Sequence, residues 1–575
     1  MQKNDKNILK IGFLFSLLLI VIVIFLVRVF YISTHKPSHF ISTTWSHKDL
    51  ALRGEIKSKD NFIIAKNKKI YSVALMPQFI NSNKKELLIN LLSIYTNKPT
   101  SYFKNFLKQN HRVVILKHIP YSIKKNLEYL SNVLAIKKVF LEDESKKITY
   151  GLDIYEEPSI RYYPFKDKLE PILGYARYNE EYNRIGMGLE KYYDEILMPK
   201  QNGYIKGYRD VKNHIIYDNT AIIRKRKDGD NLFLNINLIL QGKIENILDK
   251  LKPELKAKEI LTVVMETKTG KIKAIATTNR YNPMRITKKD IPNLKISHIQ
   301  YSYEPGSVMK PITLALLLEQ KKVNILEVLN AHNGIFYFKR NFTIYDDEPF
   351  KWLNVIQALI HSSNIIFAQL GLRLTPSEFR QGLLKFGFGK KSGIDLPYEY
   401  KGVLFSTKDL VSEIHRASNS FGYALQVNLI QLLKAYNAFN NDGIIIEPKI
   451  AYQYGNTPIS TNRYQAISPA TAQTVLNILR KVVLEGTAKA TNIPGLFIAG
   501  KTGTAKINQN GKYIKGLYNS SFIGFVNDKN HKYTIATLVI EPDEKRYFAS
   551  QTAVVVFKNI VNTMVEMEFL TPSKN

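Results

Sequence analysis

A serine and a lysine three residues apart can act as a nucleophile with its own base. The chain carries such a pair in Ser307-Val308-Met309-Lys310. Two further strings follow in order, Ser362-Ser363-Asn364 and Lys501-Thr502-Gly503-Thr504. Together they offer a serine nucleophile, a lysine to take its proton, a polar bridge and an anion-binding strand, which is the equipment for acyl transfer. Each string alone is weak. Ser33 with Lys36, Ser101 with Lys104 and Ser122 with Lys125 repeat the first, Ser460-Thr461-Asn462 the second, and Lys268-Thr269-Gly270 the third.

Local context separates them. Pro305-Gly306 precedes Ser307 and an apolar run from Ile312 to Leu318 follows, so the serine falls at a helix N-terminus, where free N–H groups favour negative charge. Lys310 lies on the same helix face and must be neutral to act as a base; burial and the nearby cation of Lys501 would lower its pKa. The same residues elsewhere would be an N-cap serine and a solvated lysine. Ser362-Ser363-Asn364 interrupts an apolar stretch, so its polar groups need partners or a cleft. Ser362 is placed to relay a proton and Asn364 to hold substrate or lysine; a helix cap explains the trio equally well when it is taken alone. Lys501, Thr502, Gly503 and Thr504 read as a strand with small neighbours, Ala499, Gly500 and Ala505, that let a ligand approach the backbone. An extended peptide would pair there, with its carboxylate on Lys501, Thr502 and Thr504 and an oxyanion hole from the Ser307 and Thr504 N–H groups. Lys268-Thr269-Gly270 precedes the serine and reads as a hairpin turn.

The elements that must position these strings follow from periodicity. Leu261 to Glu266 and Lys271 to Ala276 form a hairpin expectation, preceded by an amphipathic helix over Leu238 to Leu251. A largely helical middle spans Ser307 to Asn440. Strands return at Phe497 to Ile507, Ser521 to Val526 and Tyr533 to Ile540, and a helix closes the region over Thr552 to Met567. Strands first and last with helices between predict an α+β domain whose terminal segments share one antiparallel sheet. Upstream, Lys69 to Leu75 reads as a strand, Lys85 to Leu92 as a helix, and Gly203 to Tyr208 with His214 to Tyr217 as paired strands. The expected division is a tail over 1–10, a transmembrane helix over 11–32, a non-catalytic domain over 33–230, an acyl-transfer domain over 231–570 and a tail over 571–575.

Ile11 to Val27 carries no charge, and about 20 apolar residues suffice to cross a bilayer. Arg28-Val29-Phe30-Tyr31 is too bulky for signal cleavage, and Lys3, Lys6 and Lys10 precede the span, so the segment reads as a single-pass anchor with the remaining chain outside the cytoplasm. The absence of cysteine excludes disulfides and cysteine nucleophiles, and the 11 histidines form no metal-ligand pattern, so neither metal nor cofactor is expected. The net charge of +33 points to an anionic partner or to a lysine-rich solvated surface; no basic run is interleaved with aromatics as nucleic-acid binding requires.

With these strings in place, the chain resembles the class B penicillin-binding proteins over nearly its whole length. Arg53-Gly54-Glu55-Ile56, Arg161-Tyr162-Tyr163-Pro164, Gly174-Tyr175 and Gly186-Met187-Gly188-Leu189-Glu190 match the family's pedestal strings. Gly422-Tyr423, Gln431 with Ala435-Tyr436, and Gly486-Thr487-Ala488 match those between the second and third active-site motifs. Lys57-Ser58-Lys59-Asp60-Asn61 departs from the usual pattern, with Asn61 able to replace glycine at a left-handed position.

The resemblance implies a membrane anchor, an elongated β-rich pedestal and a transpeptidase domain of the serine β-lactamase type. It also implies a D,D-transpeptidase that acylates Ser307 with the D-Ala-D-Ala end of a peptidoglycan stem, transfers the acyl group to an amine of a neighbouring stem, and is trapped covalently by β-lactams. The implied location is the bacterial cytoplasmic membrane with the C-terminal domains in the periplasm. Ser520-Ser521-Phe522-Ile523-Gly524-Phe525 and Tyr303-Glu304-Pro305-Gly306 are similar to the septal members, whose partners are a polytopic glycan polymerase and other division proteins. An elongation-type transpeptidase, a membrane-bound β-lactamase or β-lactam sensor, and an inactive division scaffold are the alternatives.

Overall fold

The computed structural model describes residues 2–34, 44–143, 148–149, 151–178, 184–208, 217, 219, 221–339, 342–509 and 511–573. The chain forms two compact units, Met1–Ala51 with Lys200–Lys227, and Leu52–Pro199 with Asp228–Asn575. In the first unit, helix Gln2–Thr34 contains an apolar stretch, Ile11–Thr34, long enough to cross a membrane. Strand Gly203–Tyr208 pairs antiparallel with Thr44–Asp49 on one side and Ile222–Arg224 on the other. Of its expected partner His214 to Tyr217, the first three residues lie outside the described residues.

The second unit is built on an antiparallel five-stranded sheet: β1 (Glu259–Glu266), β2 (Ile272–Thr277), β3 (Phe497–Gln509), β4 (Lys512–Asn527) and β5 (Lys532–Ile540), in the order β2-β1-β5-β4-β3. Side chains alternate across a strand, so each face of the sheet needs its own cover. Leu261, Val263, Met265, Ala499, Ile523, Phe525, Ala536 and Leu538 join the core of the helical middle, including Ile312 and Leu433. Ile260, Val264, Ile498, Phe522, Val526, Ile535 and Val539 join a second core with helices Leu238–Glu254 and Ala553–Glu566. Burial on both faces explains why the strands read as near-continuous apolar runs. The architecture is α+β, with the first and last segments of the region meeting in one sheet.

Two features of the middle region depart from a helical reading. Ile335–Lys339 and Phe342–Tyr345 form a hairpin, and Val328–Asn330 pairs with Trp352–Asn354. Phe336, Phe338, Phe342 and Ile344 face the core with a period of two, in segments too short to outweigh the helices around them. β4 also begins nine residues before the expected Ser521, because Lys512 to Tyr518 continues the hairpin with β3.

Upstream, a mixed sheet runs from Ala451–Tyr454 through Leu232–Leu234 and Ile56–Lys57 to Ile63–Leu75, Val113–Ile119 and Asp153–Tyr162. The upstream strings converge beneath it. Glu190 is fully buried and takes Arg53 Nε at 2.8 Å and Arg161 Nε at 2.6 Å, while Arg53 Nη1 also reaches Asp194 at 2.7 Å. Arg161 Nη1 donates to the Gly54 carbonyl at 2.8 Å. The arginines and the glutamate, far apart in sequence, are therefore one charge cluster. Asn61 adopts φ 64°, the left-handed conformation, and Asp60 beside it accepts from Leu238 N at 2.9 Å, capping helix Leu238–Glu254.

Candidate active site

The turn that carries Ser307 owes its position to local sequence. Gly306–Met309 is a single tight 3₁₀ turn that runs directly into helix Lys310–Glu319, with Pro311 in the helix's first turn, where its missing N–H costs no bond. Gly306 N donates to the Gly422 carbonyl at 2.9 Å, and Tyr436 Oη donates to the Val308 carbonyl. A Cβ on Gly422 would sit 1.9 Å from the Gly306 carbonyl oxygen, so the approach admits no side chain. Ser307 is thus held in a turn clamped from two other elements.

Lys310 Nζ is the hub. It lies 2.9 Å from Ser307 Oγ, 2.8 Å from Asn364 Oδ1 and 3.2 Å from Ser362 Oγ, and also meets the Ser362 carbonyl. Its side chain is fully buried. Burial drives its pKa down to about 7, against the pull of the Asp346 and Asp347 carboxylates. A neutral amine has two N–H donors and one lone pair. Asn364 Oδ1 and the Ser362 carbonyl accept the two donors, which leaves the lone pair for the Ser307 hydroxyl.

Ser362 bridges the two lysines. Its Oγ accepts from Lys501 Nζ at 2.9 Å as well as facing Lys310, and its backbone takes φ 63°, a left-handed conformation that a serine adopts at a cost. Lys501 is also fully buried, and burial together with the positive charge of Lys310 pushes its pKa well down. Two ammonium groups sharing one hydroxyl in a dry site cannot both be comfortably charged, so the pair favours a single proton. Ser363 points away and caps helix Asn364–Gly371, accepting from Ile366 N at 3.1 Å. The trio therefore serves both as a cap and as a face toward Lys310.

Lys501 to Thr504 lie on β3, at the edge of the sheet. Alternation sends Lys501 and Gly503 toward the Ser307 turn: a Cβ on Gly503 would fall 2.9 Å from the Pro305 carbonyl oxygen and 2.9 Å from Val308 Cγ1. Thr502 and Thr504 alternate with them along the strand, and Thr502 Oγ1 still lies 3.5 Å from Lys501 Nζ. Thr502 Oγ1 lies 2.6 Å from Thr487 Oγ1, and Thr504 Oγ1 accepts from Ala549 N at 3.1 Å. Lys268-Thr269-Gly270 forms the β1–β2 turn, with Thr269 bonded to Glu266 and Lys268 3.0 Å from the Asp442 carboxylate.

The model of the penicillin-binding protein transpeptidase domain matches residues 260–562, and that of the penicillin-binding protein dimerisation domain matches residues 48–234. The chain belongs to the penicillin-binding protein transpeptidase family. It is 28% identical to the stage V sporulation protein D of Bacillus subtilis, over 91% of this chain and 79% of that protein. It is 26% identical to the peptidoglycan D,D-transpeptidase FtsI of Buchnera aphidicola subsp. Baizongia pistaciae, over 99% of this chain and 97% of that one. Penicillin-binding protein 2X of Streptococcus thermophilus shares the fold, with a TM-score of 0.75 and 19% identity over 91% of this chain and 80% of that one.

Around this penicillin-binding protein centre stand residues that motif reading overlooks. Asp346, at the end of the Ile335–Tyr345 hairpin, accepts from Ser363 Oγ, Asn364 N and, at 3.0 Å, Ile365 N, and so fixes the middle string. Burial raises its pKa against those bonds. The Tyr345 carbonyl takes Asn364 Nδ2 at 2.7 Å. Asp346 is 17 residues before Ser363 and belongs to no motif. The only sequence signal is an acid ending a short alternating segment. Thr487, which meets Thr502, lies in the Gly486-Thr487-Ala488 string.

Proposed function

We propose that this protein is a membrane-anchored peptidoglycan D,D-transpeptidase that works through a Ser307 acyl-enzyme. The observation that carries the proposal is the fully buried Lys310 amine, 2.9 Å from Ser307 Oγ and 2.8 Å from Asn364 Oδ1. In this reading Lys310 takes the Ser307 proton as the oxygen attacks the penultimate D-Ala carbonyl. Lys501, Thr502 and Thr504 hold the terminal carboxylate, and arrival of that anion favours the charge on Lys501, leaving Lys310 neutral. The Ser307 and Thr504 N–H groups face the developing oxyanion. Gly503 keeps the strand against the nucleophile turn. The D-Ala C–N bond breaks as Ser362 relays to the departing amine the proton that Lys310 took from Ser307, and Asn364 keeps Lys310 oriented. An amine from a second stem then attacks the acyl carbonyl: the C–N bond forms as Lys310 takes a proton from that amine, the C–O bond to Ser307 breaks, and Lys310 passes the proton to Ser307. A β-lactam enters by the same first step.

In the same reading the chain divides into a tail over 1–10, an anchor over 11–32, a pedestal over 33–230, a transpeptidase domain over 231–570 and a tail over 571–575. The catalytic region lies outside the cytoplasm, where its substrate is. The division-type strings around Tyr303 and Ser520 support a septal role beside a polytopic glycan polymerase. The direct test supplies a D-Ala-D-Ala stem and an amine acceptor to the purified protein and measures D-Ala release and cross-linked product. Ser307→Ala should abolish both. Release that persists in this variant would overturn the nucleophile assignment, and full complementation of cells by it would favour the scaffold reading. Depletion should give filaments or chains; rounding would assign the protein to elongation.

A further inference from the structure

Residues 81–138 form a small lobe around a core in which Leu88, Leu92, Phe103, Leu127, Leu130 and Leu134 are buried together with Tyr71, Val73 and Leu75 of the Ile63–Leu75 strand. Its composition differs from the remainder of the chain. It holds 11 lysines and arginines against two acids, Glu86 and Glu128, so a tenth of the sequence carries nine of the 33 net positive charges. Elsewhere the ratio is 71 to 47. A uniform preference for lysine does not produce that concentration. Glu128 is occupied by Lys124 at 3.1 Å, and of the eleven cations Arg112 is paired with Asp153 from the Asp153–Tyr162 strand.

The lobe also exposes apolar side chains in a definite pattern. Helix Lys85–Thr96 buries Leu88 and Leu92 yet leaves Leu87 and Ile94, two turns apart, in solvent. Helix Tyr121–Ile136 buries Leu127, Leu130 and Leu134 yet exposes Tyr129 and, at its last residue, Ile136, which is 79% exposed. Lys125 shares the Tyr129–Ile136 face, Lys137 and Lys138 follow that helix directly, and Lys98 follows the other; all four are exposed. Exposed apolar residues with lysines beside them in sequence have the chemistry of a bilayer interface. The apolar groups enter the acyl boundary, the ammonium groups meet lipid phosphates, and the alkyl stems span the two.

We propose that the lobe at residues 81–138 docks on an anionic phospholipid surface, making a second attachment in addition to the N-terminal helix. The proposal rests on the reading of the apolar span as a membrane anchor, and the lobe's charge is complementary to acidic headgroups and not to zwitterionic ones. An acidic protein partner would use the charge, but it is not implied by the tether.

The test exploits the absence of cysteine from the chain. Ile136→Cys in the full-length protein, labelled with a polarity-sensitive dye and placed in nanodiscs, reports directly on the lobe. With phosphatidylglycerol added to phosphatidylcholine, the emission should shift to the blue and the dye should become protected from an aqueous quencher. With phosphatidylcholine alone neither change should appear. Raising the salt well above physiological strength, or combining the label with Lys137→Glu and Lys138→Glu, should weaken the response by about tenfold or more. A label at Gln473→Cys, an exposed catalytic-region position, should not respond. Identical emission in both lipid compositions, or a shift that survives charge reversal, would overturn the proposal. A response that appears only when an acidic polypeptide such as polyglutamate is added would assign the surface to a protein partner instead.

Discussion

The pH dependence of acylation tests the role of Lys310 most finely. Its pKa of about 7 arises from complete burial, partly opposed by Asp346 and Asp347. Only the neutral amine can accept the Ser307 proton. At pH 6 about a tenth of the molecules carry it, and at pH 8 about nine tenths, so the acylation rate should rise roughly tenfold over that interval and then level off. An ordinary lysine near 10.5 would instead give a rate still climbing about tenfold per unit between pH 8 and 9. Asp346→Asn removes a charge that favours the ammonium, so it should move the midpoint to lower pH while Asn364 keeps one acceptor for its N–H. Stopped-flow acylation by a chromogenic cephalosporin over pH 5.5 to about 9.5 reads both curves. Continued climb above pH 8 in the wild type, or a midpoint that Asp346→Asn raises, would refute the reasoning. The same shift has a stability consequence. Between about 7 and 10.5 the unfolded chain binds a proton at this lysine that the folded chain does not, so stability relative to Lys310→Met should increase with pH across that window and be flat below it.

Other consequences are structural. Glu190→Gln leaves Arg53 and Arg161, both nearly buried, without their shared carboxylate, and should cost about 3–5 kcal/mol in chemical denaturation with little change in the acylation midpoint; a loss under about 1 kcal/mol would show that the cluster relaxes freely. Gly503→Ala forces a methyl against the Pro305 carbonyl and Val308, so acylation should fall about a hundredfold while the fold persists by circular dichroism; wild-type acylation would mean that the turn and β3 need not touch.

How far the sequence foretells the molecule depends on the range of each interaction. Ser307 with Lys310 is read from a single helical turn, and the β1–β2 hairpin from alternation around Thr269-Gly270, because both patterns are local. Asp346 escapes because its partners, Ser363 and Asn364, lie across an intervening strand and helix, Trp352–Asn354 and Val355–Ile360, and no periodicity links them. Gly422 escapes in part for the same reason: its string is visible, but its close approach to Gly306 is a tertiary fact. The Ile335–Tyr345 hairpin is hidden by its shortness, and the pairing of Leu232–Leu234 with Ala451–Tyr454 spans more than two hundred residues. Arg53, Arg161 and Glu190 are legible as separate strings, and only the fold reveals them as one cluster.

The most direct test of the central claim is the mass of the protein after penicillin. A long-lived adduct of one drug molecule is expected, mapped by peptide analysis to Ser307, absent from Ser307→Ala and slow to form in Lys310→Ala. An adduct on another residue, or one that hydrolyses as fast as it forms, would contradict the claim.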